Sequence, residues 1–157
     1  MQTPPGPFLK RIVFALFNFW PPFLGAGIKV KRISPDMRAI DVEMKLRPWN
    51  RNYVGTHFGG SLYAMTDPFY MLMLMENLGT EFIVWDKAAS IRFLKPGRGR
   101  VRAQFRISQE QLDAIRTALT TERKVEPLFT SEITNEDGEG LAVVEKTLYV
   151  RKKPSLS

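Results

Sequence analysis

The feature that most constrains this chain is the segment 61–79, SLYAMTDPFYMLMLMENLG, which is apolar on nearly every face when it is drawn as a helix. A helix that is hydrophobic on most faces is stable only in the middle of a fold, where other elements cover it. Gly79 stands where a helix C-cap is expected and marks the end of the helix. The remaining residues must therefore supply the layer that surrounds this central helix.

Segments typical of strands lie on both sides of the central helix. They alternate apolar and polar residues or are bounded by turn residues, and they cover residues 28–34, 38–47, 81–94, 99–107, 127–134 and 141–151. Residues 108–120 carry apolar residues at helical spacing behind Ser108, which predicts a short helix between the fourth and fifth strands. About six mostly antiparallel strands around one buried helix predict an α+β domain in which a curved sheet wraps around that helix.

Length and composition limit the domain organisation and the chemistry. With 157 residues the chain fits one domain, 1–157, and we expect residues 152–157 to form a flexible tail. The absence of cysteine excludes disulfides, a cysteine nucleophile and a cysteine-ligated zinc site, and we expect no metal. This composition is compatible with a reducing cytoplasm, which is the compartment we expect.

Residues 8–20, FLKRIVFALFNFW, are the one stretch that resembles a targeting or membrane segment. The run is shorter than the roughly 20 residues that a membrane-spanning helix needs, so we expect no transmembrane segment. We interpret it as an N-terminal helix packed on the domain; the alternative is peripheral contact with a membrane surface through its aromatic side chains. The net charge of +7 fits several polyanions, but without a motif that reads nucleic acid we expect no nucleic-acid partner.

The loop before the central helix carries a family resemblance. Residues 52–60, NYVGTHFGG, followed by Asp67, resemble the N-x-x-G-x-x-H-G-G loop and helical Asp of hot-dog thioesterases of the phenylacetyl-CoA type. More narrowly, GTHFGGSLYAMTDPFYMLML, VWDKAASIRFLKPGRG and KTLYVRKKP are similar to a domain family within the hot-dog superfamily that lacks an established activity. The resemblance implies the hot-dog fold and an acyl-CoA or acyl-carrier-protein thioester as substrate, with coenzyme A as part of the substrate and no cofactor.

The resemblance also implies a division of labour among the site residues. Asp67 acts as nucleophile or as general base for a water, Asn52 positions that water or the thioester, and the backbone N–H of Gly60 polarises the thioester carbonyl. The pair Gly59-Gly60 has a physical logic of its own, because the first amides of a helix lack partners and can face a developing oxyanion. In thioesterases of this kind the loop and the acid come from different subunits, and an open sheet edge independently favours pairing with a second copy. We therefore expect a homodimer or a dimer of dimers.

Two features depart from the family pattern or allow another interpretation. Phe58 replaces the family's loop His, and the one His of the chain, His57, lies a residue earlier, where it has either a direct role or a structural one. Asp67 precedes Pro68, so it could instead cap a kinked or restarted helix. The Ser or Thr that several of these enzymes place near the next strand is replaced by Asp86.

We assign substrate contact to residues of the loop, the helix and the basic turn. Thr56 and Phe58 belong to the loop, and Tyr70 and Met71 contribute to an apolar wall for the acyl chain, unless they are only core. Arg92, Lys95 and Arg98 would contact the phosphates of the nucleotide, unless they form a solvated strand face.

These observations favour a thioesterase that hydrolyses acyl-CoA or acyl-carrier-protein thioesters. The alternative is a non-catalytic protein of the same fold that binds an acyl chain or acyl-CoA. A hydratase or dehydratase that pairs His57 with Asp67 is the weaker third option.

Overall fold

In the computed structural model, which describes residues 16–154, one sheet curves around a broken central helix. The strands are β1 (Ile28–Ile33), β2 (Ala39–Lys45), β3 (Phe82–Phe93), β4 (Arg100–Arg106), β5 (Leu128–Asn135) and β6 (Gly140–Lys152). They form a six-stranded sheet in the order β1-β2-β4-β5-β6-β3, and every neighbouring pair is antiparallel. The predicted α+β architecture and the predicted strands are therefore confirmed.

The helices are α1 (Pro21–Ala26), α2 (Gly59–Ala64), α3 (Phe69–Leu78) and α4 (Gln109–Thr121). The predicted long central helix is interrupted between α2 and α3, which is the kinked or restarted form that the sequence left open at Pro68. Pro68 has no N–H to donate to the helical ladder, so the ladder stops after α2 and restarts with Pro68 as the N-cap of α3. Gly79 caps the end of α3 with a φ of 98°, as predicted. Helix α4 lies between the fourth and fifth strands, and Ser108 and Gln111 form the capping box at its start.

Aromatic rings hold the central helix against the concave face of the sheet. Phe69, the first residue of α3, is fully buried, with its ring 4.9 Å from that of Phe105 in β4 and 6.0 Å from that of Phe23 in α1. The next residue of the same helix, Tyr70, stacks on Phe129 of β5, with the ring centroids 4.7 Å apart. The apolar run that dominates the sequence is thus the centre of the core.

The N-terminal segment is described only in part. Of the helix predicted at 8–20, residues 8–15 lie outside the described residues; Leu16 is helical and Phe17–Phe19 form a 3-10 turn. A separate helix, α1, begins at Pro21, because proline suits the first positions of a helix, where no N–H is required. At the other end β6 continues to Lys152, while residues 155–157 lie outside the described residues. Between residues 16 and 154, no helix is both long enough and apolar enough to cross a bilayer.

Strand β3 forms one edge of the sheet and is open on its outer side. It has 12 residues and pairs only with β6. Ala88, Ala89 and Ser90 follow one another and are all exposed, which means that both faces of the strand are uncovered here. A long edge strand with unpaired backbone groups is a template for pairing with another strand.

The ring cluster around Phe69 gives a stability prediction. Phe69→Ala removes a fully buried ring and leaves a cavity, so the free energy of unfolding should fall by about 3–5 kcal/mol. Denaturant unfolding measures this change. Leu128→Ala is the control, since Leu128 is 59% exposed and its removal should cost less than about 0.5 kcal/mol. Equal losses in the two variants would contradict the assignment of Phe69 to the core.

Candidate functional site

A cavity of about 560 Å³ lies between the glycine-rich loop and the turn that follows β3. Its lining residues are Asn52, Val54, Thr56, His57, Gly59, Leu62, Phe93, Leu94, Lys95, Pro96, Gly97 and Arg98. The structure thus brings together six residues that the sequence analysis assigned to the site, namely Asn52, Thr56, His57, Gly59, Lys95 and Arg98. None of the lining residues is acidic, and Asp67 lies elsewhere.

Asn52 uses its side chain to shape the loop. Its Oδ1 accepts the amides of Val54 at 3.1 Å and Thr56 at 3.0 Å, and its Nδ2 donates to Thr56 Oγ1 at 2.9 Å and to the carbonyl of His57 at 3.3 Å. The two donors and the two acceptor sites of the amide are therefore occupied within the loop. In this arrangement Asn52 fixes the backbone that carries the glycine pair.

His57 is a buried hydrogen-bonding residue in the same loop. It is 3% exposed, and its Nε2 lies 3.0 Å from the carbonyl oxygen of Gly99, so Nε2 carries a proton and donates it to that oxygen. Its Nδ1 is buried and has no hydrogen-bond partner within residues 16–154. Burial lowers the pKa of His57 and outweighs the opposing effect of the bond to Gly99. This geometry fits the structural role, and the ring also braces the 97–99 turn against the loop.

The glycine pair lies between two aromatic rings. A Cβ at Gly59 would come 3.0 Å from the ring of Phe93, and a Cβ at Gly60 would come 2.5 Å from the ring of Phe58. A side chain at either position would therefore displace the ring beside it. The amides of Gly59 and Gly60 occupy the first two positions of α2, so neither has an acceptor within that helix.

Asp67 lies in the break between α2 and α3 and is held by two donors. Its Oδ1 accepts the hydroxyl of Tyr63 at 2.8 Å and the ammonium of Lys146 at 3.0 Å. Its side chain is 49% exposed, and its Oδ2 has no hydrogen-bond partner among the described residues. No side chain caps α3, so the structure favours the kinked helix of the alternative interpretation but not the capping role for Asp67.

Lys146 connects this break to the sheet. It belongs to the inward-facing row of β6, it is 0% exposed, and its Nζ also donates to Asp86 Oδ2 at 2.9 Å and to the backbone carbonyl of Asp67. All three N–H groups of the ammonium therefore have acceptors. We call Tyr63, Asp67, Asp86 and Lys146 the lysine cluster.

A β-bulge places Asp86 in the lysine cluster. Asp86 lies opposite Leu148 on β6 and Ala88 lies opposite Thr147, so the register shifts by one residue at Lys87. Residues directly opposite in an antiparallel pair share a face, and Leu148 is buried, so Asp86 faces inward with it. Burial raises the pKa of the Asp86 carboxyl, Lys146 lowers it, and the charge of Asp67 raises it.

Besides Asp67, five residues that we assigned to the site lie outside the cavity lining. Tyr70 is buried in the core and donates to the carbonyl of Thr130 at 3.0 Å, and Met71 packs against the same core. Arg92 is exposed on β3, and Phe58 is 57% exposed with its ring against Gly60. Gly60 likewise does not line the cavity. Lys95, which does, is ion-paired with Glu139.

The sequence analysis missed Lys146 and Tyr63. The alternation of β6 contained the signal for Lys146, because Val144, Lys146, Leu148 and Val150 occupy successive inward positions and a lysine in an apolar row needs buried acceptors. Tyr63 lies one helical turn before Asp67, and nothing in the sequence distinguishes it from a core residue. Within residues 16–154, no three His, Asp or Glu side chains come close enough together to hold a metal ion.

Comparison with known families places the chain. Residues 10–150 match the model of a family described as a domain of unknown function, DUF4442. The chain belongs to this family. This confirms the narrower resemblance, to a domain family without an established activity. No curated protein matches the chain.

Solved structures show the same fold. A protein of unknown function from Pseudomonas aeruginosa, described as a probable thioesterase, has a TM-score of 0.78 at 20% identity, with 98% of this chain and 99% of that chain covered. A thioesterase from Haemophilus influenzae has a TM-score of 0.66 at 17% identity, with 96% and 93% covered. A mutant thioesterase from P. aeruginosa has a TM-score of 0.63 at 13% identity, with 97% of each chain covered. The hot-dog fold predicted from the sequence is confirmed.

Removal of the buried ammonium group should destabilise the fold. Lys146→Met leaves Asp67 and Asp86 facing each other without a cation, and because both carboxylates are partly exposed we expect a loss of about 3 kcal/mol, the low end for a broken buried ion pair. Denaturant unfolding measures it. Lys152→Met is the matched control on the same strand, because its pair with Glu81 is exposed and spans 3.7 Å. A loss below about 0.5 kcal/mol in both variants would show that the cluster does not stabilise the fold.

His57 predicts a pH dependence of stability. The pKa of His57 is lowered in the folded state. Below about pH 6.5 its imidazole is therefore protonated in the unfolded chain before it is protonated in the folded chain. The free energy of unfolding should therefore be highest above pH 6.5 and fall as the pH drops, by at most about 1.4 kcal/mol per pH unit. Unfolding measured at pH 7.5, 6.5 and 5.5 should show this slope in the parent and a flatter one in His57→Gln, which cannot titrate. The same slope in both proteins would rule out His57 as its source.

Proposed function

We propose that this protein is a thioester hydrolase, acting on acyl-CoA or acyl-carrier-protein thioesters, whose active site is completed by a second copy of the chain. One observation carries the proposal. The cavity offers glycine amides and two cations but no acid, while the candidate acid, Asp67, is half-exposed beside the open edge strand β3. The cavity and the surroundings of Asp67 are therefore two half-sites: the first has amides and cations but no acid, and the second has the acid.

Asp67 is arranged as a general base for water. Tyr63 and Lys146 fix its Oδ1, which sets the plane of the carboxylate, and leave Oδ2 free to accept a proton. Water deprotonated by Oδ2 would add to the thioester carbonyl carbon. Collapse of that intermediate breaks the C–S bond, and the proton held by Asp67 passes to the departing thiolate, so the carboxylate is regenerated.

The glycine loop would stabilise the charge on the carbonyl oxygen. The amides of Gly59 and Gly60 have no helical acceptor, and Gly59 lines the cavity. An amide donor aimed at a developing oxyanion in a site shielded from water contributes on the order of 100-fold or more to the rate. The loop that presents these amides is fixed by the hydrogen bonds of Asn52 and His57, which gives both residues a positioning role.

The rest of the cavity suits an acyl-CoA. Leu62, Phe93 and Leu94 supply apolar surface for the acyl chain, and Arg98 and Lys95 supply positive charge for the phosphates. Arg98 has no ion-pair partner among the described residues, whereas Lys95 is shared with Glu139. Arg98 is therefore the stronger phosphate ligand of the two.

A homodimer formed along β3 would unite the two half-sites. Pairing of β3 with the same strand of a second copy protects its open edge and covers Ala88, Ala89 and Ser90. Phe93 of the cavity and Asp86 of the lysine cluster both belong to this strand, so both half-sites border the proposed interface.

Asp67→Asn should abolish hydrolysis while it preserves the fold. Asn keeps an oxygen for Tyr63 and Lys146 but cannot take a proton, so the rate of thiol release from acyl-CoA should fall at least about 100-fold. The assay follows free thiol over a panel of acyl lengths. Asp113→Asn, on the exposed face of α4, is the control and should retain full activity. An Asp67→Asn variant as active as the parent, or a parent without turnover on any substrate, would contradict hydrolysis at this site.

A mixing experiment tests the shared site. Gly59→Val blocks the loop against the ring of Phe93, so Asp67→Asn and Gly59→Val homodimers should both be inactive. If subunits exchange at random, half of the dimers are mixed and each holds one intact site, which restores about a quarter of the parent activity. No recovery after verified exchange would mean that loop and acid act within one chain. Mixing two different Asp67 variants is the matched control and should restore nothing.

Binding without hydrolysis is the second candidate function, and the site geometry gives a specific reason for it. Asn52 is committed to the loop, His57 is buried and neutral, and a cation occupies the side of Asp67 that faces the sheet. Few groups therefore remain to assist water activation. An acyl-CoA that raises the melting temperature of the protein without thiol release would establish this function in place of hydrolysis.

A further inference from the structure

The N-terminal part of the described chain exposes an unusual amount of apolar surface. Residues 19–28 contain no charged or amide side chain, and within α1 only Phe23 is buried. Phe19 is 72% exposed and Leu24 is 60% exposed, and Trp20 is half-exposed beside them. Contiguous apolar surface of this kind is rare on a protein that contacts only water.

A second segment extends the same surface. Asn50 Nδ2 donates to the carbonyl of Ala26 at 2.8 Å, which fastens the 47–50 turn to the end of α1. The neighbouring Trp49 is 65% exposed, and the guanidinium of Arg47 lies over its ring at 5.3 Å. We call Phe19, Trp20, Leu24 and Trp49 together the aromatic surface.

Positive charge surrounds the aromatic surface. Lys29 is the second residue of β1, three positions after the end of α1, and Arg47 and Arg51 flank Trp49; none of the three has an ion-pair partner among the described residues. The acids of the neighbouring strands are already paired: Glu43 with Lys31 and Arg100, Asp41 with Arg32 and Arg106. The surface therefore combines exposed aromatic side chains with uncompensated cations.

We propose that the aromatic surface binds the interface of a membrane that contains anionic lipids. Tryptophan favours the headgroup level of a bilayer, phenylalanine and leucine enter the acyl region, and lysine and arginine contact anionic headgroups. A second copy of this chain fits the surface less well, because two such surfaces would bring like charges face to face. A second copy of the chain can instead pair with the open edge of β3. This inference is independent of the proposed hydrolysis.

Vesicle sedimentation with the full chain tests the proposal. The protein should sediment with vesicles of phosphatidylcholine and phosphatidylglycerol, much less with phosphatidylcholine alone, and less as salt is raised, since the cations are exposed. Leu24→Ser/Trp49→Ser removes two exposed side chains and should weaken binding to the mixed vesicles at least about tenfold. Lys29→Glu/Arg47→Glu should weaken it by a similar factor and remove the preference for anionic lipid.

Matched variants elsewhere on the surface control for general stickiness. Leu128→Ser removes an equally exposed side chain from β5, and Arg123→Glu reverses an exposed charge after α4; both should sediment like the parent. Two outcomes would overturn the proposal: no sedimentation of the parent with mixed vesicles at low salt, or unchanged binding in Leu24→Ser/Trp49→Ser. If the parent does not bind vesicles, its apparent mass is compared with that of this variant by light scattering, and a lower mass in the variant is a separate finding. That finding would assign the surface to contact between copies. Hydrolysis of a water-soluble short-chain thioester should be unchanged in these variants, which separates this test from that of the active site.

Discussion

The buried ammonium group of Lys146 is the constraint on which the centre of this fold depends. A fully buried cation must find acceptors for all its N–H groups, and here they come from two separate elements, the edge strand and the break in the central helix. The break makes one of them available. Because the carbonyl of Pro68 accepts the first bond of α3, from Leu72, the carbonyl of Asp67 lies outside the helical ladder and is free for the lysine. Pro68, Asp67 and Lys146 thus act together to hold the central helix against the sheet.

The same residues determine the surroundings of the candidate acid, Asp67. The cluster holds two carboxyl groups and one ammonium group, and burial raises the pKa of the Asp86 carboxyl against the opposing effect of Lys146. Asp67 gains a fixed orientation from its two donors, Tyr63 and Lys146. The loop residues do not assist it, because Asn52 and His57 are occupied in holding the backbone.

The sequence predicted the fold more completely than the site, for physical reasons. Apolar periodicity, a capping box and turn residues are local signals, so the six strands, α4 and the end of α3 lie close to their predicted positions. The helix that begins at Pro21 was not predicted, because its six residues are too few to show a helical periodicity. The cavity brings together residues of the loop and of the turn after β3, since both flank the buried helix. Tyr70 lies in the core, the alternative that the sequence left open, and Lys146 was missed. Whether a side chain belongs to the core or to a site depends on strand order and on irregularities such as the bulge at Lys87, which no single segment encodes.

The contact between Gly59 and the ring of Phe93 links the wall of the cavity to the edge strand of the sheet. Gly59 belongs to the wall of the cavity, whereas Phe93 ends the strand at the free margin of the sheet. The ring of Phe93 lies directly against the backbone of Gly59, so the end of the edge strand forms part of the support of the cavity wall. A molecule that binds along the free margin of the sheet would therefore act close to one wall of the cavity.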